Sequence, residues 1–172
     1  MSSNSSTVKL TREPGRSASE ANSAISTNHA VRYVLSSLDE PSVRERRVQA
    51  ILFIAEANWY DSDESPPPLL NTTFEKIRRG VFSPDIRKAI EDLDLRSRPS
   101  FKSGLRTKVY DISRVDPPNE IQGENPQKAK KYLDAVIKKS KNTSGDELMS
   151  LCLDFDEVQS LTSGEKVRFE KK

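Results

Sequence analysis

The chain holds one cysteine, Cys152, and one histidine, His29, among its 172 residues. A single cysteine excludes an intrachain disulfide, which fits a reducing compartment and predicts a cytoplasmic protein. Cys152 lies between Leu151 and Leu153, the setting of a small buried hydrophobe. A hydrolytic triad needs a histidine held between nucleophile and acid. His29 instead opens a predicted helix next to a polar stretch, and it reads as a surface or capping residue. One Cys and one His do not make a zinc site. Glycine is scarce, at 6 residues, and neither GxGxxG nor GxxxxGK followed by Ser or Thr occurs. Aromatic residues are 6% of the chain and do not interleave with its basic clusters, which argues against single-strand binding by stacking. No apolar run approaches the roughly 18 residues of a membrane span. The first residues lack an apolar h-region, so no secretory signal is expected. The expectation is a protein with no catalytic residues, no metal and no cofactor.

What is present is modest. The hydrophobic share is 34%, the charged share 31%, and the net charge +2. Near neutrality gives no strong reason to expect nucleic acid or an anionic membrane as the main partner. Residues 1–27 are rich in Ser, Asn and Thr and poor in large apolar side chains. They cannot bury enough surface to offset the entropy of ordering, and they are expected to form a flexible arm. The remaining residues, 28–172, then form one domain.

Asn28 is the expected N-cap of a first helix, with Val31, Val34, Leu35 and Leu38 on one face. A second helix is expected over 42–59. Val48, Ile51, Leu52, Ile54 and Ala55 make it apolar on most sides, which places it at the centre of a bundle. Acids and three prolines over 61–68 predict a surface loop. Residues 75–79 read as a short helix or turn. Ser83-Pro84-Asp85 is a helix start, with Ser as N-cap and Pro at N1. Residues 96–104 read as irregular. Alternation over 107–112 predicts a short strand. Asn125-Pro126 opens another helix, and Ser144 with Glu147 forms a capping box before one more. Residues 166–170 alternate and are expected to pair with 108–112. The pattern predicts a mainly α, compact helical domain with a minor short β-pair.

Asp61, Asp63 and Glu64 resemble part of a calcium loop. Pro66, Pro67 and Pro68 stand where its glycine and closing Glu would be, so the segment reads as an acidic solvated loop. There are three basic clusters: Arg44, Arg46 and Arg47; Arg78 and Arg79; and six lysines over 128–141. Binding phosphate would require them on one face. Lys130 points away from Lys128 and Lys131, as expected of an ordinary solvated helix. Trp59 and Tyr60 end the central helix, where they either close the core or border a partner pocket.

Several stretches resemble, in order, the Panacea domain of SocA-like antitoxins. Residues 48–55, VQAILFIA, are similar to the family's LQKLLYYA helix. Phe74, followed by Arg79-Gly80-Val81-Phe82-Ser83-Pro84, resembles its aromatic-led segment, which ends in GPV and a new helix. Val109-Tyr110-Asp111 lies where the family has a short extended segment. Residues 133–153 resemble its closing helices, and Gly164-Glu165-Lys166-Val167 its "G..I" ending. Val81, Leu153 and the Phe53-Ile54 pair replace the family's Pro, His and Tyr pair. The resemblance spans about 28–170. It implies a helical domain that neutralises a toxin encoded nearby by direct binding, and that in some members hands the toxin to a protease. The expected partner surface comprises Trp59, Tyr60, Arg78, Arg79 and Phe82. Two other readings remain: a nucleic-acid-binding regulator, for which the basic clusters speak, and a phage or mobile-element protein that uses the same fold to bind a host factor.

Overall fold

The computed structural model describes residues 23–62, 66–102 and 105–169. Most of the expected arm, residues 1–22, lies outside the described residues, as do Asp63 and Glu64 of the acidic loop.

Order sets in before Asn28. Ala24 and Ile25 are fully buried. The backbone N–H groups of Ala24 and Ile25 donate to the carbonyls of Pro68 and Leu69, at 2.8 and 3.1 Å. Ser26 N donates to Gln122 O at 2.8 Å, and Asn125 N to Ala24 O at 3.0 Å. The segment is thus held on both sides, which satisfies backbone groups that burial would otherwise leave unpaired. Gly123 makes the approach possible, because a Cβ there would collide with the Ala24 carbonyl. The first helix, α1 (Thr27–Ser37), is capped by Ser26, whose hydroxyl accepts His29 N at 3.3 Å. The cap is therefore Ser26 rather than Asn28. Val31, Val34 and Leu35 of the expected stripe are buried, with Ala30 beside them, and Leu38 is buried at the C-cap.

A three-residue strand, β1 (Ser42–Arg44), leads straight into α2 (Glu45–Tyr60). The helix was expected to begin at Ser42. The ladder partners Asp111, Tyr110 and Val109, distant in sequence, draw 42–44 into a sheet instead. As expected, α2 is buried on most sides, with Val48, Ile51, Leu52, Phe53, Ala55 and Trp59 all inside.

The stretch 75–79 is not a helix. β2 (Glu75–Ile77) and β3 (Gly80–Phe82) form an antiparallel hairpin, with Arg78 and Arg79 as its two-residue turn. The chain's last described segment joins this hairpin and not the strand at 108–112. Glu75 bridges to Lys166, and Val167 N donates to Phe74 O at 2.8 Å. Next comes α3 (Pro84–Asp92), capped by Ser83 with Pro at its start, as its sequence predicts.

Residues 96–104 were expected to be irregular. Within them lies β4 (Ser97–Lys102), which pairs with β5 (Leu105–Asp111). The three-stranded sheet runs in the order β1-β5-β4, all antiparallel. The chain closes with α4 (Pro126–Ser140), α5 (Gly145–Leu153), opened by the Ser144–Glu147 capping box, and the short α6 (Asp156–Gln159).

Among the described residues six helices hold 46% and five strands, in two small antiparallel sheets, hold 14%. The architecture is mixed α and β, not the mainly α domain with one β-pair that local patterns predicted. The difference comes from pairing. The segments 42–44, 75–82 and 97–102 carry weak or ambiguous local periodicity and become strands through hydrogen bonds to partners.

The core centres on Phe53, which is fully buried. Its ring packs edge-on to Phe74 at 5.1 Å and to Phe155 at 5.6 Å, and tilted against Phe169 at 5.2 Å. One ring thereby ties α2 to the hairpin entry, to α6 and to the C-terminal segment. Phe53→Ala is expected to lower unfolding free energy by about 3–5 kcal/mol, the usual cost of truncating a buried Phe. Urea denaturation followed by circular dichroism measures this; a loss under about 1 kcal/mol would show that the aromatic cluster is not the centre of the core.

Candidate functional site

A cleft of about 1020 Å³ opens between the β2–β3 hairpin, the start of α2, the three-stranded sheet and α5. Its floor is apolar: Val81 and Met149 are buried, and Ile77, Phe82 and Leu153 are half-buried. Its walls are basic. Arg44 and Arg46 come from the β1–α2 junction, Arg78 and Arg79 from the hairpin turn, Arg87 from α3, and Arg98 and Lys108 from β4 and β5. Glu45, Glu91 and Asp146 are the acids that line it.

Two of these cations are structural ties. Arg46 Nε donates to Asp146 Oδ1 at 2.8 Å, and its Nη2 to the Arg79 carbonyl at 2.5 Å, which anchors the hairpin turn to the body. Arg87 Nε contacts both oxygens of Glu45, at 3.1 and 3.2 Å, and its guanidinium lies 4.6 Å over the Phe82 ring. Buried Gln49 holds the back of the cleft: its Oε1 accepts Ser83 N at 2.9 Å, and its Nε2 donates to Ser83 O at 3.0 Å. That pair of bonds binds α2 to the start of α3.

The fold brings together Arg78, Arg79 and Phe82 of the expected partner surface. It separates the other two. Trp59 is 0% exposed, its ring edge-on to Tyr132 at 5.1 Å and its Nε1 donating to Pro67 O at 2.7 Å. It closes the core and cannot meet a partner. Tyr60 stacks on Phe169 at 5.2 Å and borders a second, polar cavity of about 670 Å³, lined also by Glu56, Asn71, Asp85 and Lys88. The lysine-rich helix α4 does not line the cleft; Lys130 Nζ lies 5.5 Å over the Tyr33 ring instead. Arg98 and Lys108 were not picked out from sequence. Each is one cation in a stretch without a motif; strand pairing places Arg98 beside Arg44, both opposite Val109, while Lys108 stands opposite Pro99.

His29 Nδ1 accepts Gln122 N at 2.8 Å, so the histidine braces a loop. Cys152 is buried, and burial pushes its thiol up to about 12, far from the thiolate that nucleophilic attack requires. No cluster of metal-ligating side chains occurs among the described residues. No helix among them is long and apolar enough to cross a membrane.

Glu56 is the other residue that sequence reading missed, although an acid inside an otherwise apolar helix was a usable signal. Its carboxylate is buried and accepts Leu69 N and Leu70 N at 2.8 and 2.9 Å. Burial pushes it up to about 8, while these two N–H donors pull the other way. In the folded chain it therefore holds a proton across a pH range in which the unfolded chain has lost it. The folded state binds more protons there, so stability falls as pH rises from about 4.5 to about 8. Thermal melts over that range are expected to show this decline, and Glu56→Gln to flatten it. An equal slope in both proteins would assign the dependence to another group.

No family model matches the chain, and neither a curated protein nor a solved structure is found to be similar to it.

Proposed function

We propose that this protein is an antitoxin-like binding module of the cytoplasm that neutralises a partner toxin by docking it in the basic cleft. The observation that carries the reading is the cleft itself. It joins an apolar floor to a rim of arginines, and Arg and aromatic side chains around a desolvated centre are what protein hot spots are made of. The resemblance to SocA-like antitoxins supports the same reading, in which Arg78, Arg79 and Phe82, which line the cleft, contribute to docking and buried Trp59 does not. The reading is one of binding, with no catalytic step.

Nucleic acid is the runner-up, because cations outnumber acids around the cleft. The apolar floor favours protein over it: a phosphate backbone gains nothing from Val81 and Met149, and the Phe82 ring is occupied by Arg87.

The test is neutralisation. The neighbouring gene product, expressed alone, should arrest growth; co-expression with this protein should restore it. The double variant Arg78→Glu, Arg79→Glu, exposed at the hairpin turn, should fold normally and lose the rescue. Full rescue by that variant would place the contact elsewhere. A mobility shift of mixed-sequence DNA that weakens steeply with salt, without any captured protein, would favour the nucleic-acid reading.

A further inference from the structure

Taking the docking reading as its basis, we infer that the cleft accepts an acidic segment of its protein partner, with an apolar side chain seated on the floor and a carboxylate on Arg44. Arg46 and Arg87 are neutralised by Asp146 and Glu45. Arg44, Arg78, Arg79, Arg98 and Lys108 make no ion pair among the described residues, and Glu91 is the sole lining acid left to offset them. The surplus is therefore local to the cleft, in a chain whose net charge is only +2.

Arg44 differs from the others by being held. It reaches from β1 across the central strand, its Nη2 donating to Ser100 Oγ at 2.7 Å and its Nε facing Thr107 Oγ1 at 3.4 Å. Register explains the span, since Arg44 pairs with Val109, which pairs with Arg98, and these side chains share one face of the sheet with Ser100 and Thr107. Hydroxyl partners orient a guanidinium and leave its charge uncompensated. Nη1 takes part in neither bond. A half-buried, oriented, uncompensated guanidinium is suited to a carboxylate, because little side-chain entropy remains to be lost on binding. The floor formed by Val81, Met149 and Leu153 then selects an apolar residue next to the acid, a combination that neither a nucleic acid nor a purely acidic tail offers.

The test is selection of random twelve-residue peptides displayed on phage against the whole purified protein, followed by fluorescence anisotropy of the winners as synthetic peptides. Enriched peptides should carry Asp or Glu flanking Leu, Ile, Met or Phe. Arg44→Gln should weaken them by about tenfold or more, as loss of a charge-assisted pair does. Arg44→Lys should restore only part of the affinity, because it keeps the charge without the fork. Arg98→Gln, at an exposed residue with no side-chain bond among the described residues, guards against a folding artefact and should weaken the peptides several-fold with an unchanged melting temperature. Enriched peptides without acids, or acidic peptides bound equally by wild type and by the Arg44→Gln and Arg98→Gln variants, would overturn this inference and leave the docking reading standing. Failure to enrich any peptide, with retention of a labelled oligonucleotide instead, would overturn both.

Discussion

Helix α2 cannot exist on its own. Ten of its sixteen residues are buried, among them Phe53 and Trp59, and a helix apolar on most sides is stable only when other elements cover each of those sides. Everything else is arranged to do so. α1, α4 and α5, the β2–β3 hairpin and the C-terminal segment each lay an apolar stripe or ring against it. The loop at 66–70 covers its end, where Trp59 reaches Pro67 and Glu56 receives the amides of Leu69 and Leu70.

Burying a helix so completely buries its polar residues too. Gln49 and Glu56 lie on this otherwise apolar element, and each meets backbone groups of a connecting segment: the helix cap Ser83 and the loop residues Leu69 and Leu70. Gln49 satisfies both polar groups of Ser83, and Glu56 satisfies two consecutive loop amides. The polar groups thus lock irregular segments in place and avoid the penalty of unpaired burial. The two differ in what they risk. An amide is neutral at any pH, whereas a carboxyl in that position couples the loop to protonation.

The cleft follows from the same geometry. The start of α2 is the part that the bundle leaves uncovered, and the hairpin, the sheet and α5 surround it without closing over it. Arginines suit such a rim. Their stems cover apolar floor while their planar heads stay at the water boundary. Arg46 and Arg87 are used up in holding the walls together. Arg44 is oriented without being neutralised, and that distinction separates scaffold from site within one cluster of like residues.

Local signals in the sequence determined the helices that begin with strong caps. Ser83 with Pro84 and Ser144 with Glu147 are helix starts whose meaning does not depend on distant residues, since the capping groups lie within one turn of the amides they satisfy; at Asn125-Pro126 the side chain makes no cap bond, and the start of α4 is marked by the proline alone. The buried stripes of α1 and α3 and the centrality of α2 followed in the same way from periodicity, and the burial of Cys152 from its apolar sequence neighbours. Strands were legible only at 107–112, where alternation was clear. Residues 42–44, 75–82 and 97–102 became strands because partners far along the chain supplied the hydrogen bonds, and no local pattern encodes a partner's identity. The candidate site was legible to the same extent. Arg78, Arg79 and Phe82 are neighbours in sequence and remained neighbours in space. Trp59 went to the core and Tyr60 to another cavity, because the orientation of two adjacent helical residues is set by what packs against each. Arg98 joined Arg44 only through sheet register, and Lys108 lines the cleft from the strand between theirs. A charge cluster assembled from three strands is a property of the tertiary structure, since its members have no fixed spacing along the chain.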